Sequence, residues 1–209
     1  MNDTELKIGD NATVTLKFSE AVILFNSDDD ITADNGTLST MTSTDNITWT
    51  GYFTPTDDIE DNSSTLSLTD ESYTDLAGNL GPDNQTANYE IDTKEPTVSS
   101  VAITDADGDQ NNFLNAGDNV SVTATFSEPI FIVDNSSGNP TLTLAVGSDN
   151  RTATYASGGD NSTALVFRYT IKATGTSGEN DSNGISIGAN ALALNSGTIR
   201  DRAGNIATD

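Results

Sequence analysis

Apolar residues along this chain recur at every second position in short runs. In "ATVTLKF" (12–18) the alternation puts Ala12, Val14, Leu16 and Phe18 on one face, and in "VSVTATF" (120–126) it puts Val120, Val122, Ala124 and Phe126 there. A period of two belongs to a strand buried on one side. "NITWTGYF" continues the pattern with Ile47, Trp49 and Phe53, and "ALVFRYTIK" with Leu165, Phe167, Tyr169 and Ile171 inward and Arg168 and Lys172 outward. Gly, Asn and Asp turns separate such runs at intervals of roughly ten residues, and no stretch carries a helical period. The pattern predicts an all-β fold built as sandwiches of about seven strands, with Trp49 as a core residue.

The runs belong to an internal repeat. "LKIGDNATVTLKFSE" (6–20) matches "LNAGDNVSVTATFSE" (114–128) without a gap, and "DLAGNLG" (75–81) matches "DRAGNIA" (201–207). The first pair is offset by 108 residues and the second by 126, so the second copy is longer by 18, an excess expected within 174–197. Pro96 forbids helix between the copies, which places two tandem sandwiches at 1–94 and 95–209. "TVSSVAI" (97–103) has no counterpart before Leu6, and "QTANYEI" (85–91) would map beyond Asp209. The first sandwich is therefore expected to lack its first strand and the second its last. Two explanations stand: a segment taken from a longer tandem array, or sheet edges completed by a neighbouring molecule to give head-to-tail polymers.

Composition narrows the chemistry. The chain has 209 residues, 32 acidic against 8 basic, and neither His nor Cys. Such a balance repels nucleic acid and anionic membranes and favours cations. Disulfides, thiolate zinc and the commonest general base are all excluded, so a bound metal is expected to be hard and oxygen-ligated. Without His or Cys there is no ordinary triad, and neither a Ser-x-x-Lys pair nor a phosphate-cradling glycine loop occurs; no enzyme is expected. There is no apolar run of membrane-spanning length and no signal segment at Met1. Acid runs such as "SDDD" (27–30) and "DDIED" (57–61) read as solvated faces, and the eleven Asn-x-Ser/Thr sequons as sites open to glycosylation.

"DADGDQNN" (105–112) offers oxygens at alternate positions. It is not an EF-hand, because its glycine stands fourth and the twelfth residue from Asp105 is Ala116 where a bidentate Glu is needed. Asp105, Asp107 and Asp109, with Asp118 returning nearby, nevertheless form a candidate calcium loop, since close carboxylates repel one another until a divalent cation intervenes. A bare turn is the alternative.

The series "GDN…VTxxFSE", "DxAGN" and "IDTKEPTV" resembles the bacterial immunoglobulin-like repeats of very large, repetitive cell-surface adhesins and surface-layer-like proteins. The resemblance spans nearly the whole chain. It implies two tandem immunoglobulin-like β-sandwiches acting as an extracellular, cell-surface spacer, often stiffened by calcium at or near the junctions between repeats. In that topology Glu20, Asp75 and Asn79 gather at the pole where the chain enters the first copy, and Glu128, Asp201 and Asn205 at the matching pole of the second. Asp92, leaving the first copy, would join the latter group in a calcium shell, with loop oxygens from "TPTDDIEDN" (54–62) as additions. Alternatively Asp75 and Asp201 cap tight turns that Gly78 and Gly204 permit. Expected partners are adjacent repeats or neighbouring protomers, with a host or surface glycan engaged through other regions. A carbohydrate- or ice-binding sandwich and a strand-complemented filament subunit are the competing readings.

Overall fold

The computed structural model describes residues 1–108, 113–133, 138–173, 184–195 and 197–208. The chain divides into two compact units, Met1–Lys94 and Glu95–Asp209.

In the first unit the strands are short: β1 (Glu5–Lys7), β2 (Ala12–Lys17), β3 (Val22–Ile23), β4 (Ile31–Ala33), β5 (Gly36–Leu38), β6 (Thr48–Pro55), β7 (Glu60–Ser64), β8 (Leu66–Leu68), β9 (Thr74–Asp75), β10 (Asn84–Gln85) and β11 (Tyr89–Asp92). One layer has the order β2-β6-β5; the other is assembled from β4-β8-β10 and β1-β11-β7, with β1 parallel to β11. Alternation along β2 and β6 points Ala12, Val14 and Phe53 at Leu66, Leu68, Tyr89 and Ile91 of the facing layer, and all are buried in one cluster. The larger of these, Val14, Phe53, Leu66, Leu68 and Ile91, each contribute roughly 1.5–3 kcal/mol on burial. Phe53 and Tyr89 meet edge-on with centroids 5.3 Å apart. Trp49 packs on this core, 4.8 Å from the Phe25 ring, but its indole N–H is buried without an acceptor among the described residues.

"SDDD" is solvated only in part, with Asp28 and Asp29 exposed. It forms a single helical turn, α1 (Ser27–Asp30), capped by Asn26, with Ser27 and Asp30 buried. Asp30 accepts from Asn26 N at 2.7 Å and Asp29 from Asn26 Nδ2 at 2.6 Å. Local capping, rather than apolar periodicity, makes this turn.

The second unit contains β12 (Val98–Asp107), β13 (Asn119–Val133), β14 (Thr141–Val146), β15 (Asp149–Gly158), β16 (Asp160–Thr170), β17 (Ile185–Ala193) and β18 (Thr198–Arg200). They form one sheet of order β12-β13-β16-β15-β14-β17, with β18 on the far end of β13. This sheet folds over itself because β15 changes partners along its length: Asp149–Thr154 pair with β14 and Thr154–Gly158 with β16. Val122, Leu165 and Phe167 thereby share a core with Leu142, Leu144 and Ala191, all buried.

Register also relocates part of the 18-residue excess. Ala12 stands opposite Phe53 and its counterpart Val120 opposite Tyr169, so Phe53 and Tyr169 are offset by 116 residues where Ala12 and Val120 are offset by 108. Eight extra residues therefore precede Tyr169, in the region of the longer β14–β15 hairpin, and only the other ten fall in the later segment expected to hold all of them.

The two sheets differ at one edge. In the second unit β12 lies antiparallel to β13; in the first, β1 takes a different place beside β11, and no strand among the described residues flanks β2 on its outer side. Conversely, β11 flanks the β7 edge in the first unit, whereas no described strand covers the outer edge of β17 in the second.

Candidate functional site

The repeated motifs converge because short strand pairs hold them. β3 runs antiparallel to β9, with Val22 opposite Asp75, and the end of β13 runs antiparallel to β18, with Phe131 opposite Arg200. In each unit the chain leaving "FSE" is thus tied to the chain entering "DxAGN". Glu20, Asp75 and Asn79 line one cavity of about 470 Å3 in the first unit. In the second, carboxylate oxygens of Glu128 and Asp201 lie within 4.8 Å of each other. That corner is where the chain enters the second unit, since Ser127 N donates to Thr97 O at 2.8 Å.

Both "DxAGN" segments are turns locked by their aspartates. Asp201 Oδ1 accepts from Gly204 N (2.6 Å) and Asn205 N (2.9 Å), while Oδ2 accepts from Asn205 Nδ2 (2.8 Å). Asp75 Oδ1 accepts from Ala77 N (2.8 Å) and Asn79 N (2.9 Å), and Oδ2 from Asn79 Nδ2 (2.6 Å). Gly78 and Gly204 adopt φ of +88° and +102°, a region that a Cβ disfavours. The turn alternative is therefore realised in both copies. It leaves room for a cation, because a carboxylate offers about four lone-pair sites and these donors occupy three on Asp201.

Environment separates the two copies. Asp201 and Asn205 are buried, at 1% and 3% exposure, whereas Asn79 is exposed and Asp75 only partly covered. The Asn79 side chain foremost, with the Asn79, Ala77 and Gly78 amides, holds the Asp75 carboxyl below the usual carboxylate range.

Asp92 ends β11 in the first unit. It stands opposite Lys7 on one side and Glu60 on the other, and accepts from Lys94 N at 3.3 Å. The "TPTDDIEDN" loop is fastened beside it: Thr93 Oγ1 donates to Thr56 O at 2.6 Å and accepts from Ile59 N at 3.0 Å. Glu60, Asp61, Glu90 and Asp92 line a cavity of about 270 Å3. Glu60 lies within the "TPTDDIEDN" stretch offered from sequence, whereas Glu90 was not singled out, although it stands two residues before Asp92 on a strand-patterned run.

At the other pole of the second unit, Asp105 and Asp107 belong to strand β12 rather than to a loop. Asp107 pairs with Asn119, and Asp118 returns beside Gly108, so closely that a Cβ there would sit 2.3 Å from Asp118 Oδ1. Asp118 Oδ2 accepts from Asn115 N at 2.6 Å. Asp109 lies outside the described residues.

A family model described as a bacterial Ig-like domain matches residues 1–91. The first unit is a bacterial immunoglobulin-like domain. The second unit repeats its "GDN…FSE" and "DxAGN" motifs in the same order and holds them in the same strand pairings. No curated protein and no solved structure matches the chain.

Bacterial Ig-like domains are typically non-catalytic, extracellular structural repeats. No helix of the described residues is long and apolar enough to cross a membrane.

Proposed function

We propose that this chain is a non-catalytic extender segment of a repetitive cell-surface protein, of adhesin or surface-layer type, stiffened by calcium at its poles and at the junction of its units. The observation that carries this reading is the repeated corner: a family-matched Ig-like unit followed by a second copy that preserves Glu128, Asp201 and Asn205 where the first has Glu20, Asp75 and Asn79. A spacer needs copies with the same ends, so that each joins the next in the same way. A net charge of −24 disfavours close association of such units unless cations or salt intervene.

Asp92, Glu128, Asp201 and Asn205 are the proposed junction ligands, and Asp105, Asp107, Asp109 and Asp118 the proposed distal ones. Calcium takes six to eight oxygens at about 2.3–2.6 Å, so either set would need main-chain oxygens or water to complete it. A bridging ion would select one angle between units that otherwise sample many. Titration calorimetry with calcium, on the native chain and on Glu128→Gln and Asp118→Asn, tests this. The reading requires saturable binding that magnesium does not reproduce and that each variant weakens at its own site; heat indistinguishable from dilution would refute it.

A further inference from the structure

Asn35 and Gly36 stand where the chain passes from β4 to β5, and an asparagine followed by glycine is a chemically labile pair. Glycine has no Cβ to shield or stiffen its main chain, so its nitrogen can attack the asparagine Cγ. The structure fastens this corner instead. Asn35 Nδ2 donates to Asp61 Oδ2 at 2.6 Å and to Ser64 Oγ at 3.1 Å, which ties the side-chain amide to β7. Asn35 O accepts from Thr56 N at 2.9 Å, and the residue holds a φ of +53°, which asparagine tolerates. Gly36 stands opposite Pro55 at the start of the β5–β6 pairing, where a Cβ would collide with the buried Phe53 ring. The two residues that make the bond labile are thus the two that this corner requires.

We propose that Asn35 is a modification site closed by folding, and that opening of the first unit exposes it to deamidation, which then keeps the unit open. The Gly36 nitrogen loses its proton and bonds to Asn35 Cγ, the Cγ–Nδ2 bond breaks, and ammonia leaves with that proton, giving a succinimide. Water opens the ring at either carbonyl. One product is aspartate; the other is isoaspartate, in which the main chain runs through Cγ. Neither product suits the folded corner. Aspartate replaces the amide donor with a carboxylate beside that of Asp61, and like charges at such a distance repel. Isoaspartate adds a methylene to the main chain directly before β5, where the Phe53 ring leaves no space for one more carbon on Gly36 and the register of Thr37 with Thr54 is fixed. A unit that has been pulled or heated open is thereby marked and prevented from closing. The inference rests on these contacts alone and is independent of calcium.

The full 209-residue chain is incubated in mildly alkaline buffer with and without urea, and residue 35 is followed by peptide mass spectrometry with aspartate and isoaspartate separated by chromatography. Conversion should be slower in the folded chain by about tenfold or more, because it must await opening. The urea-treated chain is then returned to native buffer and fractionated by size, with native first units recognised by the fluorescence of Trp49, the single tryptophan, which packs on that unit's core. Isoaspartate at position 35 should be absent from the native fraction and concentrated in the rest. As a second arm, Asn35→Asp reproduces the aspartate product directly and should unfold at lower urea by the same fluorescence. Equal conversion in the folded and unfolded chains, no conversion in urea, isoaspartate shared evenly between the fractions, or an unchanged midpoint for Asn35→Asp would overturn the proposal.

Discussion

Asn205 grips Asp201 twice, donating its backbone N–H at 2.9 Å and its side-chain amide at 2.8 Å to the two carboxylate oxygens. Asn79 grips Asp75 in the same way. The motif that links the copies in sequence is therefore a structural lock first, and any cation it helps to bind meets a carboxylate already held in place.

Removal of that carboxylate should matter more in the second copy. Asp201→Ala leaves buried donors without partners, at a cost of about 1–3 kcal/mol, whereas the Asp75 turn can exchange its bonds for water. Chemical denaturation of Asp201→Ala and Asp75→Ala chains should give the larger loss for Asp201; equal losses would contradict the different burial of the two turns.

Gly78 tests backbone strain alone. A Cβ there meets nothing within 4 Å, so Gly78→Ala should cost about 1–2 kcal/mol solely through its φ of +88°. Gly78→Asn should recover part of the loss, because asparagine tolerates the left-handed region. Denaturation midpoints of the two variants check the order.

Tyr89 ties the first unit's layers by polar as well as apolar contact. Its hydroxyl donates to Asp34 O at 2.9 Å and reaches Thr65 O at 3.3 Å, so Tyr89→Phe should destabilise by about 1 kcal/mol. Burial, reinforced by the Asp34 and Asp61 charges, pushes its phenol far above the ordinary tyrosine range. In a spectroscopic alkaline titration Tyr89 should stay protonated through the ordinary tyrosine range, and the late component should shrink in Tyr89→Phe.

Acid should unfold the chain through specific carboxylates. Asp75 is held low chiefly by the Asn79 side chain, Asp61 by the Ser63 hydroxyl and Asp45 by the Thr48 amide. A folded pKa below the unfolded value of 3.8 means that the native state binds fewer protons. The stabilisation is thus complete above about pH 4–5 and is lost as pH falls through the folded pKa values. Stability measured between pH 2 and 6 should drop below about pH 4, with a shallower fall in Asp61→Asn; a flat profile would contradict these bonds.

Much of the fold was legible because burial is one-sided. Val120, Val122, Ala124 and Phe126 are all buried as period two requires, and the glycine of "DxAGN" announced a turn that an aspartate could cap. Other features left weaker signals. The helical turn at Ser27–Asp30 depends on the Asn26 cap, not on a stripe of apolar residues. Asp105 and Asp107 resemble loop residues because aspartate is scarce in strands, yet pairing with Ser121 and Asn119 carries β12 through them. The change of partner within β15 arises from tertiary closure, which alternation along one strand does not encode. Glu20 and Glu128 could be placed beside their "DxAGN" turns only through topology, since more than fifty residues separate the members of each corner.

Thermal unfolding in EGTA and in millimolar calcium, with magnesium and matched ionic strength as controls, tests the central claim most directly. Preferential binding to the folded state raises the melting temperature in a ligand-dependent way. A calcium-specific rise, reduced by Glu128→Gln and by Asp118→Asn, is the predicted result. An identical response to every salt would mean simple screening of an acidic surface and would contradict calcium stiffening of this Ig-like pair.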